Sequence, residues 1–159
     1  MKPRVDDMTP KLRELYDQWK QKMEEAGIPF ILTCVLRTKA EQEALYAQGR
    51  HPLEYVNKIR RECGMAPIST RENSYKVTWT MNSKHFAGPD GKGRAFDFCI
   101  VKQGTKQLTW DTKWDADNDG VPEYLEAARF AKEVGLDSGA FWEGSKDYPH
   151  IQLKLVKRI

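Results

Sequence analysis

The chain has 159 residues, 40% of them hydrophobic and 31% charged, which excludes intrinsic disorder and fits a single domain spanning 1–159. No apolar run approaches the about 20 residues of a membrane-spanning helix, and MKPRVDDMTP holds no hydrophobic stretch of a secretory signal. Lys and Arg number 26 against 23 Asp and Glu, a net charge of +3 that is too small to imply nucleic acid. Thr9-Pro10 opens a helix, with Thr9 as its cap, and Leu12, Leu15, Tyr16, Trp19 and Met23 follow on one face until Gly27 and Pro29 stop it. Residues 30–36 are apolar and β-branched, the pattern of a strand buried on both faces. Thr38-Lys39-Ala40-Glu41 has capping-box spacing, so a second helix runs to Gly49, and a third is expected over 52–63 with Leu53, Val56 and Ile59 inward. Residues 64–73 read as loop, 76–80 and 94–101 as strands, and 88–93 between them as a protruding loop. A polar stretch at 102–120 precedes a helix over 122–134, with Tyr124, Leu125, Ala128 and Phe130 as its apolar set. The last strand is expected over 149–155. Helices mixed with strands in this order suggest α+β, a small antiparallel sheet with helices packed on one side.

Cys34, Cys63 and Cys99 are odd in number and scattered singly. They make no disulfide framework and no C-x-x-C knuckle, and read as reduced core thiols of a protein made in a cytoplasm.

Two constellations carry chemistry. In the strand 94–101, alternation puts Ala95, Asp97, Cys99 and Val101 on one face and Phe96, Phe98 and Ile100 on the other. A carboxylate in that small apolar stripe is costly unless it binds a metal or pairs, with Arg94 or Arg37 as candidate partners. His85 lies at a strand end upstream, and His150 opens the last strand with Gln152 on the same face. Two histidines and an aspartate on strands or strand ends match a catalytic zinc site with an open fourth position. Asp147, across a proline-containing turn, is placed to take a proton from zinc-bound water. Taken separately, each histidine reads as an ordinary surface or capping residue.

The second constellation is Asp115-Ala116-Asp117-Asn118-Asp119-Gly120-Val121-Pro122-Glu123-Tyr124-Leu125-Glu126. Carboxylates at loop positions 1, 3 and 5, glycine at 6 and glutamate at 12 are what a calcium loop requires, with the Val121 carbonyl as a further ligand. An exiting helix is present and an entering one is not, so this is a calcium loop outside a full EF-hand. The alternative is an acidic cap favourable to the helix dipole.

Ser83-x-His85 with Gly93-Arg94-Ala95-Phe96-Asp97 resembles the S-x-H…G-x-A-x-D signature of the zinc D-Ala-D-Ala carboxypeptidase and L-alanyl-D-glutamate endopeptidase family (VanY-like). Asp147-Tyr148-Pro149-His150 resembles its D-x-P-H signature. Residues 36–50, from Leu36-Arg37-Thr38 to Gln48-Gly49-Arg50, resemble the strand-to-helix turn of the family's phage endolysin branch, and Gly135-Leu136-Asp137-Ser138-Gly139-Ala140-Phe141-Trp142 resembles its approach to the last motif. The blocks occur in family order over residues 30–153.

The resemblance implies His85, Asp97 and His150 as zinc ligands, Asp147 as general base, and Arg37 as the cation that polarises the scissile carbonyl. It also suggests Ser83 and Trp142 for substrate contact, where capping and core packing are the plainer roles. The interval from His85 to Asp97 is longer than the family's usual spacing, and the extra residues fall in 88–93, where they are expected to lengthen the rim of the cleft. The implied activity is hydrolysis of peptidoglycan stem peptides by a phage lysis enzyme, an L-alanyl-D-glutamate endopeptidase. The alternatives are a D,D-carboxypeptidase or dipeptidase, and an inactive metal-stabilised wall-binding module. Such an enzyme is expected as a monomer, without membrane insertion, in the host cytoplasm, reaching peptidoglycan after membrane permeabilisation. Its cofactors would be Zn2+ and a structural or regulatory Ca2+.

Overall fold

A computed structural model describes residues 3–78, 81, 84–144 and 146–154. The sheet is antiparallel in the order β1 (Phe30–Cys34), β2 (Ala95–Val101), β5 (His150–Leu153), β4 (Leu136–Ser138), and the short β3 (Leu108–Thr109) pairs with the far end of β2. The alternation of β2 holds: Phe96, Phe98 and Ile100 are fully buried on one face, and Asp97 opens on the other.

That core face is covered by α1 (Pro10–Glu25) and α4 (Glu123–Glu133). Trp19 of α1 is the hub. Its ring lies 4.8–5.1 Å from those of Phe30, Phe96 and Phe98, and its indole N–H donates to the Ala127 carbonyl of α4 at 2.9 Å. Truncating one such ring costs about 3–5 kcal/mol. The helical hairpin of α2 (Lys39–Ala47) and α3 (Leu53–Glu62) flanks the opposite side, and Gln42 and Leu45 of α2 line the same cavity as Asp97. The capping box at Thr38 and Glu41 is fully formed.

Several expectations need correction. The apolar run at 30–36 is not buried on both faces. β1 is an edge strand that turns Phe30 and Leu32 to the core, and Ile31, on its other face, is exposed. Thr9 precedes α1 but does not cap it, since its hydroxyl donates to Asp90 at 2.5 Å. The expected strand at 76–80 is not formed at 76–78, and Trp79 and Thr80 lie outside the described residues. The loop 88–93 folds back on the amino-terminal segment: Lys92 Nζ reaches the Asp6 carbonyl at 2.7 Å, and the Gly93 N–H donates to Asp7 at 2.8 Å. None of its residues lines the cavity beside Asp97.

In α4 the buried positions are Glu123, Tyr124, Ala127, Ala128 and Ala131, so the inward stripe is narrower than expected, with Leu125 and Phe130 at its margins. No helix among the described residues is long and apolar enough to cross a membrane.

Candidate metal centre

Asp97 lies at the middle of a ladder. On β5 its register partner is His150, and on β1 it is Cys34. His85 arrives from a turn rather than a strand end. The turn is held by the Arg37 N–H donating to the His85 carbonyl at 2.9 Å and the Arg94 N–H donating to Lys84 at 3.0 Å.

Both imidazoles are buried, and their inner nitrogens converge on one oxygen. His85 Nε2 is 3.2 Å and His150 Nδ1 3.0 Å from Asp97 Oδ1, with ring centroids 5.1 Å apart. Each outer nitrogen faces an oxygen that can only accept: His85 Nδ1 the Val35 carbonyl at 3.1 Å, and His150 Nε2 the Gln152 Oε1 at 2.8 Å. Those acceptors assign the outer nitrogens as N–H donors, which in the neutral rings leaves two lone pairs and a carboxylate facing one another. Such a set needs positive charge at its centre. Outer-sphere carbonyls that set the tautomer in this way are the usual support of metal-binding histidines. Two nitrogens and a carboxylate oxygen are by type a catalytic zinc donor set and so fit the ion that the family resemblance implies. The donor atoms that lie within 4.8 Å of one another are those of Cys34, His85 and Asp97, and His150 joins them through Asp97 Oδ1.

Protonation of His85 is one source of that positive charge. Burial opposes a charged His85, but the Asp97 carboxylate and the Cys34 sulfur outweigh it and hold the imidazole pKa up at about 10. Burial likewise opposes ionisation of Asp97, yet contact with His150 and His85 keeps its pKa well below the usual carboxylate range.

Arg37, Trp142 and Asp147, with Gln42, His150 and their neighbours, line a cavity of about 520 Å3. Arg37 Nη2 is 3.9 Å from Asp97 Oδ2, and Nη1 donates to Gln42 Oε1 at 2.7 Å. Trp142 stacks obliquely beside His150 with centroids 5.2 Å apart. Asp147 opens to this cavity. The chain packed around its carboxylate raises its pKa, the Asp97 charge raises it further, and His150, His85 and Arg37 work the other way. An acid raised in this way is suited to exchanging protons.

Asp147 owes its position to Gly139. The Asp147 N–H donates to the Gly139 carbonyl at 2.9 Å, and a Cβ on Gly139 would collide with the Asp147 backbone carbonyl. Ser83 lies outside the described residues.

Three supporting groups were not singled out from sequence. Gln42 is fully buried and couples Arg37 to Thr78, donating to the Thr78 Oγ1 at 3.1 Å. The Val35 carbonyl and the Gln152 amide orient the two imidazoles. Only Gln152 left a signal, because strand alternation puts it on the face of His150.

The acidic loop is separate from this centre. Oxygens of Asp117, Asp119 and Glu126 lie within 4.8 Å of one another, as do those of Asp115, Asp117 and Glu123. Gly120 at φ +86° and Asn118 at φ +54° make the tight turns, and the Gly120 N–H donates to Asp115 Oδ2 at 2.9 Å. Burial first, then the charges of Asp119, Asp117 and Glu123, push the Glu126 pKa up to about 7.

No protein-family model matches the chain. The peptidoglycan L-alanyl-D-glutamate endopeptidase CwlK of Bacillus subtilis is 26% identical over 151 residues, which cover 95% of this chain and 76% of that protein. The crystal structure of the Serratia marcescens L-Ala D-Glu endopeptidase ChiX superposes with a TM-score of 0.52 at 19% identity, covering 94% of this chain and 83% of that one. The resemblance to the VanY-like peptidases, drawn from short motifs, thus extends along nearly the whole chain, and the α+β fold with its open antiparallel sheet is shared.

Proposed function

We propose that this protein is a zinc-dependent peptidoglycan endopeptidase that cuts between L-alanine and D-glutamate in the stem peptide. The observation that carries the reading is the convergence of His85 Nε2 and His150 Nδ1 on Asp97 Oδ1, with Arg37 and Asp147 on the same cavity. The bond specificity is supported by CwlK and ChiX, both described as L-Ala-D-Glu endopeptidases.

His85, Asp97 and His150 would hold the zinc, which when bound would supply Lewis-acid polarisation of the scissile carbonyl and a more acidic water. Asp147 accepts the proton of the attacking water and returns it to the leaving amine as the C–N bond breaks. The Arg37 guanidinium, held by Gln42, faces the oxygen on which negative charge grows. Trp142 walls the cavity beside His150 and limits where the peptide lies. A wall-binding module would need neither Arg37 nor Asp147 at the cavity.

Digestion of purified peptidoglycan followed by mass analysis tests the reading. New amino-terminal glutamate with intact D-alanine ends is expected. Release of terminal D-alanine instead would make the protein a D,D-carboxypeptidase, and no cleavage by zinc-loaded protein would refute the enzyme.

The likeness of residues 36–50 to the phage branch supports a role in host lysis. Cells expressing the protein are then expected to lyse only when their membrane is permeabilised. Calcium at Asp115, Asp117, Asp119, the Val121 carbonyl and Glu126 completes the proposal. The closely spaced carboxylates and the raised pKa of Glu126 support it, because a divalent ion relieves their mutual repulsion. Calorimetry is expected to show heat on adding calcium to the unaltered protein and none for Asp117→Ala. No heat with either would leave the loop a helix cap.

A further inference from the structure

We propose that Cys34 is a fourth protein donor to the metal, so that the resting centre is closed and a water position opens only when the sulfur withdraws. The proposal rests on the zinc reading above and concerns the same site.

Alternation along β1 sends Cys34 elsewhere. Phe30 pairs with Ile100 and Leu32 with Phe98, and both β1 residues pack on the hydrophobic core. Continued regularly, the ladder would put Thr33 opposite Asp97 and Cys34 opposite Phe96, on the core face. The register instead slips between Leu32 and Cys34, so that two residues of β1 span one step of β2 and Cys34 stands opposite Asp97. A β-bulge of this kind re-aims a side chain, and bulges concentrate beside active sites. Here the slip takes a thiol from the core side and turns it to the face of the two histidines.

The result is a single line across three strands, Cys34–Asp97–His150, with His85 approaching from its turn. Ligand atoms of Cys34, His85 and Asp97 lie within 4.8 Å of one another, and His150 reaches the same Asp97 oxygen at 3.0 Å. Zinc bonds of ~2.3 Å to sulfur and ~2.0 Å to nitrogen set tetrahedral donors about 3.5 Å apart, so bringing Cys34 to the ion needs a shift on the order of 1 Å. Rotation of one side chain supplies that.

Cys34 is also held in place, since Arg37 Nη2 donates to its sulfur at 3.4 Å. The cation assigned to the oxyanion and the proposed fourth donor therefore touch. Four protein donors make a closed centre of structural type, whereas three leave the open position that hydrolysis needs. On metal binding, the thiol releases its proton to solvent and the sulfur ligates as thiolate.

Cobalt substitution tests this without reference to activity. The full chain, stripped of metal and loaded with Co(II), is expected to show a near-ultraviolet sulfur-to-cobalt charge-transfer band beside the visible cobalt bands. Cys63→Ser is expected to keep that band. Cys34→Ser is expected to lose it, keep the visible bands, and bind cobalt at least ~10-fold more weakly, the minimum that loss of even an outer-sphere partner costs. Visible bands without charge transfer in the unaltered protein would overturn Cys34 as a ligand and leave the histidine–aspartate centre intact. Absence of all cobalt bands would overturn both readings. A charge-transfer band that persists in folded Cys34→Ser, checked by circular dichroism, would assign the sulfur elsewhere. Absence of the charge-transfer band from the unaltered protein overturns the proposal even if that variant does not fold.

Discussion

Replacing Gln42 by leucine separates the position of Arg37 from its presence. Gln42 is fully buried on α2, and its Oε1 accepts from Arg37 Nη1 at 2.7 Å. A hydrogen bond to a charged group contributes roughly 1.5–3 kcal/mol net. The Arg37 side chain keeps 17% of its surface exposed, so water replaces part of the lost contact and the lower half of that range applies. Leucine fills most of the vacated volume, and the net destabilisation is then about 2 kcal/mol, which for a domain of this size lowers Tm by ~4–8 °C.

The catalytic effect is of another kind. Losing an oxyanion donor outright costs about 10²–10³ in kcat. A guanidinium that remains present but loses one of its anchors retains part of that, so Gln42→Leu is expected to lower kcat by roughly 10- to 100-fold with little change in KM. Gln42→Glu keeps the length and the acceptor and is expected to recover most of the rate. The assay is release of amino-terminal glutamate from purified walls, alongside thermal unfolding. If Gln42→Leu cuts at the unaltered rate while Arg37→Ala is inactive, Gln42 does not position Arg37 and the reasoning fails.

Asp147→Ala is expected to bind zinc at the unaltered stoichiometry and to lose roughly 10²–10⁴ in rate, and near-normal hydrolysis would move the base elsewhere, with exposed Glu143 next to test. Gly139→Ala pushes its Cβ into the Asp147 carbonyl, so activity is expected to fall while metal content stays unchanged. Equal activity would show that the turn carrying Asp147 yields freely.

The legibility of this site in the sequence follows the range of the interactions involved. Asp97 was visible because strand alternation is local: a carboxylate between Phe96 and Phe98 declares itself whatever the partner strands are. The α2 capping box was visible for the same reason, since Thr38 and Glu41 satisfy one another without help. Thr9 misled because its cap competes with Asp90, which is close in space and far in sequence. The residues 88–93 misled likewise, for glycine and proline announce a loop and say nothing of what it docks against.

Cys34 shows where local reading must fail. Its side-chain direction is set by a register slip, and a slip is a property of two strands. The same pairing brings Asp97 and His150 together, although 53 residues separate them along the chain. Register therefore sets the geometry of the whole centre: moving β2 by one residue would turn Asp97 into the core and Phe96 or Phe98 out to the cavity. The burial of those rings around Trp19 opposes that shift far more strongly than any donor–metal contact on the other face needs to. The aromatic core thus holds the proposed metal donors in line by itself. It follows that a core substitution loosening the β1–β2 pairing should weaken metal binding without touching a ligand.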